Sequence, residues 1–90
     1  MKRVIVTVVG KDTVGIIARL CTYMADHNVN ILDITQTIVS GFFNMMMIVD
    51  TAAATAPFDV LATELEACGR DLGVVVKCQR EEIFDSMHRI

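Results

Sequence analysis

His27 and His88, the isolated carboxylates Asp12, Asp33 and Asp50, and the thiols Cys21, Cys68 and Cys78 are the side chains that the sequence singles out for chemistry. Catalysis needs an activated nucleophile or an acid–base pair held together, and the spacing pairs none of these groups. Each of the three aspartates falls near the end of an element, where capping or solvation accounts for it. His27 falls at a helix end, where a histidine serves the helix dipole. The cysteines have no C-x-x-C spacing and read as reduced core residues of a cytosolic protein. What remains is a loop, Val9-Gly10-Lys11-Asp12-Thr13-Val14-Gly15-Ile16. A strand that turns tightly into a helix leaves backbone N–H groups pointing out of the helix start, and these suit an anionic group such as a carboxylate. Such a turn needs a glycine and a cap whether or not anything binds, so the loop alone fits both uses.

Several chemistries are excluded. Gly10-x-x-x-x-Gly15 matches the opening of a phosphate-binding loop, but Ile16 and Ile17 stand where a lysine and a hydroxyl residue would hold phosphate and magnesium. The loop has neither the paired cysteines of a metal carrier nor the arginine of a phosphoryl-binding enzyme. A net charge of −3 and a pI of about 5.1 argue against a nucleic-acid surface, and Phe42 and Phe43 sit at a hairpin end rather than mid-sheet as an RNA-reading sheet requires. No run approaches the ~20 apolar residues of a membrane span, and Met1-Lys2-Arg3 leads into a strand pattern, not a signal peptide. The expectation is a cytoplasmic protein that is not an enzyme, holds no metal or cofactor, and binds neither nucleic acid nor membrane. Hydrophobic residues make up 53% of the 90 and mean hydropathy is +0.51. That is high for so few aromatics, and it implies apolar surface beyond what one small core covers.

The elements that would position the loop can be read in order. Val4 to Val9 is rich in β-branched residues and predicts a strand. Gly10 then supplies the turn and Asp12 or Thr13 the cap of a helix over 14–26, with Ile17, Leu20 or Cys21, and Met24 on its buried face. Asn28 is the left-handed stop. Val29 to Val39 reads as an edge strand with one wet face, Ile34, Gln36 and Ile38 lying opposite Asp33, Thr35 and Thr37. Ser40-Gly41 predicts a tight hairpin, and Phe42 to Val49 returns as a third strand with apolar side chains on both faces at Met45, Met46 and Met47. Pro57 predicts the first residue of a second helix capped by Thr55 or Ala56, with Phe58, Leu61, Leu65, Cys68 and Leu72 as its stripe. Gly73 ends that helix, and Val74 to Cys78 gives a fourth strand. Residues 81–90 predict a helical tail that offers Ile83, Phe84 and Met87. The order β-α-β-β-α-β, with right-handed crossovers, gives an α+β ferredoxin-like sandwich: a four-stranded antiparallel sheet with both helices on one face.

Gly10 to Ile17, then Asn28-Val29-Asn30-Ile31 and Asp33-Ile34, resembles the ACT domain pattern across nearly the whole chain. Gln36-Thr37, Phe42 to Asp50 and Glu81 to Ile90 are similar to the UPF0237 group of small ACT proteins, and the module is also similar to the ACT units of glycine-cleavage-system repressors. The resemblance implies an ACT domain over 1–80 with a tail over 81–90. It also implies a homodimer whose sheets join side by side, with an amino acid or related metabolite at the seam. Asp12, Thr13, Val14 and Gly15 of one copy would face that ligand, with Asn30 and Ile31 of the other. A second interface on the Met45–Met47 surface would make a tetramer. With no enzyme domain in this sequence, the signal would pass to a separate regulated protein. The other reading is a protein-interaction module with no small ligand.

Overall fold

The computed structural model describes residues 2–82. The elements are β1 (Arg3–Lys11), α1 (Ile16–Asp26), β2 (Asn30–Val39), β3 (Phe42–Asp50), α2 (Phe58–Leu72) and β4 (Val74–Arg80). They form one antiparallel sheet in the order β2-β3-β1-β4. This is the expected ferredoxin-like sandwich, with β2 and β4 at its edges. The expected helical tail lies outside the described residues beyond Glu82.

The period of two along the strands decides which side is the core. Val4, Val6 and Val8 of β1, Phe43, Met45, Met47 and Val49 of β3, and Val74 and Val76 of β4 are buried under the helices. Leu61, Leu65 and Cys68 of α2 meet them, as the stripe predicts. From α1 the buried residues are Ile16, Leu20 and Met24, so the face is set by Ile16 and not by Ile17, which is 36% exposed. Completely buried side chains such as Val6, Met47 and Leu20 each contribute about 1.5–3 kcal/mol.

Four local details depart from the sequence reading. β1 runs through Gly10, which takes no positive φ. Its missing side chain instead admits β4, since a Cβ there would lie 2.9 Å from the Cα of Val74. The left-handed residue is Gly15, at φ 93°. α1 therefore starts at Ile16 rather than Val14, and Gly15 is its N-cap. Neither Asp12 nor Thr13 caps it, because both lie upstream of that turn; the Thr13 hydroxyl donates to the Lys11 carbonyl instead (3.2 Å). At α2, Pro57 is the N-cap itself, with ψ 163°, and the helix begins at Phe58, so neither Thr55 nor Ala56 caps it. The stops hold: Asn28 has φ 57°, Gly73 φ 78°, and the hairpin residues Ser40 and Gly41 have φ 52° and 80°.

Candidate functional site

The loop between β1 and α1 is presented at one end of the sheet. Asp12, Thr13, Val14 and Gly15 are all exposed, Val14 at 98%. The Asp12 N–H donates to the carbonyl of Gly41 (2.9 Å), which fastens the loop to the tip of the β2–β3 hairpin. The first intrahelical bond joins the Arg19 N–H to the Gly15 carbonyl (2.9 Å). The N–H groups of the preceding turn have no acceptor within the helix. No side chain caps this start, and the first turn of α1 carries no acidic residue. A positive dipole end is thus left facing outward.

Asn30 and Ile31 lie elsewhere. Asn30 pairs with Asp50, which pairs with Arg3, and so it sits at the opposite end of the sheet from Lys11 and the loop. The strand between them spans about 30 Å at ~3.4 Å per residue. Within one chain the structure brings Asp12, Thr13, Val14 and Gly15 together, and Asn30 beside Ile31, but does not join the two groups. β2 is also an open edge. It is broken by a bulge at Leu32, between Ile31 and Asp33, and lined on the helix side by the exposed Ile34 and Ile38.

Two features had no sequence signal, because each draws on elements far apart in the chain. At the Asn30 end, Lys2, Thr51, Ala54 to Phe58 and Arg80 to Glu82 contribute to an open groove of about 920 Å³. Here the Arg80 guanidinium lies 4.9 Å over the Phe58 ring, and Arg3 pairs with Glu81 at 3.0 Å. Between the helices, the Tyr23 hydroxyl donates to Glu64 Oε1 (2.5 Å) while His27 stacks on the Tyr23 ring at 4.0 Å. His27 Nδ1 is 2.9 Å from the Tyr23 carbonyl, which only accepts, so that nitrogen carries the proton. Its Nε2 lies 3.6 Å from the same Glu64 oxygen. Burial, reinforced by Glu64, pushes the Tyr23 hydroxyl well above the ordinary tyrosine range. The trio fastens α1 to α2.

Cys68 lies in the core and Cys78 packs against it, whereas Cys21 is half-buried and outside that cluster, so the core reading holds for two of the three. All three are free, and burial pushes the Cys78 thiol up to about 12, with Glu66 adding to it. Among the described residues no group of three or more His, Cys, Asp or Glu could hold a metal ion, and no helix is long and apolar enough to cross a membrane.

Comparison with known proteins agrees with this fold. The ACT domain profile matches residues 2–79. A UPF0237 protein of Bifidobacterium longum is 62% identical over 90 residues, covering 100% of both chains. An ACT domain protein from Streptococcus pneumoniae superimposes with a TM-score of 0.81 at 38% identity, over 97% of this chain and 98% of that one. A structure described as a putative glycine cleavage system transcriptional repressor shares the fold, with a TM-score of 0.73 at 20% identity over 88% of this chain and 45% of that one. The chain belongs to the ACT domain family, among its UPF0237 members.

Proposed function

We propose that this protein is a non-catalytic regulatory module of the cytoplasm that binds an amino acid or related metabolite between two copies and signals to a separate protein. ACT domains are typically regulatory and ligand-binding, which supports the class. One observation carries the site: the loop and Asn30 lie at opposite ends of the open β2 edge. Antiparallel pairing of β2 with β2 across a two-fold axis sets the start of one strand beside the end of the other. The hairpin tip at that end is bonded to Asp12. Asn30 of one copy then reaches the Asp12–Gly15 loop of its neighbour, with Ile31 beside it. The ligand's carboxylate takes the N–H groups around Val14 and Gly15 at the dipole end of α1, and its ammonium takes Asp12, near Thr13. Asn30, with both donor and acceptor atoms, bridges the seam. The free thiols fit a reducing compartment.

The test is a thermal-melt screen of the purified protein against the twenty amino acids. A ligand at 100 times its dissociation constant adds about 2.7 kcal/mol, which is several degrees for a small domain. The response is expected to disappear in Asp12→Ala and in Asn30→Ala, with each variant still dimeric and melting as the parent does without ligand. A response that survives in both variants places the ligand elsewhere. A flat panel with the parent removes the sensor reading.

A further inference from the structure

The open groove at the Asn30 end is built from three segments that meet only in the fold. The start of β1 gives it Lys2 and Arg3, the approach to α2 gives Ala54, Ala56 and Pro57, and the end of β4 gives Arg80. Ala54, Ala56 and Phe58 also pack against the buried core, so the groove opens directly onto that core. Its walls carry both signs of charge, Lys2, Arg3 and Arg80 together with Glu81 and Glu82. A nucleic acid would require one sign. An apolar segment that brings charges of its own matches this lining.

The chain ends in such a segment, and it leaves the fold at this groove. β4 stops at Arg80, and Glu81 and Glu82 are already helical. The Arg3–Glu81 ion pair (3.0 Å) ties the departing chain to β1. A helical period carried on from Glu82 sets Ile83, Phe84, Met87 and Ile90 on one face, with Asp85, Ser86, His88 and Arg89 on the other. Acids at 81, 82 and 85 then stand at the start of the helix, and His88 and Arg89 at its end, as a helix dipole favours.

We propose that residues 83–90 extend this helix and lay its apolar face into the groove of their own chain. The docked face closes over Ala54, Ala56 and Pro57, and the acidic start lies beside Lys2 and Arg80. A helix over 81–90 is about 15 Å long at ~1.5 Å per residue. No linker separates Glu82 from Ile83, so the segment meets its own groove at a high effective concentration. A second copy or another protein would have to compete with it there. The groove lies beside β4, the sheet edge opposite β2, so the proposal stands whether or not the ligand seam forms.

Nuclear Overhauser spectra of the full chain, isotope-labelled at its alanine and methionine methyl groups, test this. The Met87 ε-methyl is expected to show cross-peaks to the β-methyls of Ala54 and Ala56. Absence of those cross-peaks overturns the proposal. Isotope-filtered spectra of a mixture of labelled and unlabelled chains are expected to be empty between these groups. Cross-peaks there would make a second copy the occupant and overturn the assignment. Ending the chain at Glu82 is expected to lower the melting temperature by about 5–10 °C, and Met87→Lys by about half as much. If both variants melt within ~1 °C of the parent, the segment is not docked and the proposal falls.

Discussion

Both helices follow a strand, and at neither does a side chain of the N-cap residue bond to the helix start, yet the two approaches are built differently. The approach to α2 is held from several directions. Asp50 Oδ1 accepts the N–H groups of Lys2 (3.1 Å) and Ala52 (3.0 Å), Asn28 Nδ2 donates to the Ala53 carbonyl (2.9 Å), and the Thr55 N–H donates to the carbonyl of His27 (3.0 Å). Asp59 in the first turn of α2 supplies the negative charge that its dipole favours. The approach to α1 turns on one left-handed glycine and leaves the dipole end without an acid. The start of α2 is finished inside the chain. The start of α1 carries no such charge, and for that reason it is the one proposed as a binding loop.

This contrast can be broken experimentally. Gly15→Ala is expected to have the largest effect. A Cβ at that position meets nothing within 4 Å, so the whole loss is backbone strain at φ 93°, about 1–3 kcal/mol by chemical denaturation. A loss under ~0.5 kcal/mol would mean that the loop re-forms with another residue in the left-handed role, and the contrast would fail. Asn28→Ala strikes the tied approach to α2. It removes the bond to Ala53 and places alanine at φ 57°, for about 1–2 kcal/mol. Asn28→Gly keeps the backbone angle and loses only the bond, so the two variants separate the contributions; equal losses would assign everything to the hydrogen bond.

The smallest effect is expected from Asp50→Asn, and it depends on pH. The Ala52 N–H above all, and then the Lys2 N–H, hold the Asp50 carboxyl below its ordinary value of 3.8. A depressed folded-state value contributes stability above 3.8 that is lost as pH falls through the folded-state value. The melting temperature of Asp50→Asn should therefore fall below the parent's at neutral pH and converge with it in acid. A gap that stays constant from pH ~7 to pH ~2 would show that the carboxylate's charge plays no part.

The sequence was most informative where a period repeats. Phe58 through Leu65 to Cys68 carries enough spaced apolar residues to fix element and face, while Val4 to Val9, β-branched throughout, fixes the element alone. It was ambiguous where neighbours are alike. Ile16 and Ile17 are the same residue side by side, so periodicity alone could not choose between them, and the choice follows from where the left-handed residue falls. Gly10 and Gly15 likewise look equivalent in one dimension. Only the approach of Val74 to the first, and the turn at the second, assign their roles. Pro57 was displaced by one position because an extended N-cap and a first helical residue share the same φ. For the candidate site, the position of the loop between β1 and α1 was legible from the glycine spacing. That Asn30 sits at the far end of the sheet was not, since it depends on the register of three strands. The His27–Tyr23–Glu64 arrangement joins residues 41 apart in the chain, and no local pattern announces it.

The bond from the Asp12 N–H to the Gly41 carbonyl gives this protein a built-in spectroscopic probe. The Asp12 amide proton cannot exchange with solvent until the loop parts from the hairpin tip. Its deuterium uptake therefore measures how often those two segments separate, with a single resonance and no added label.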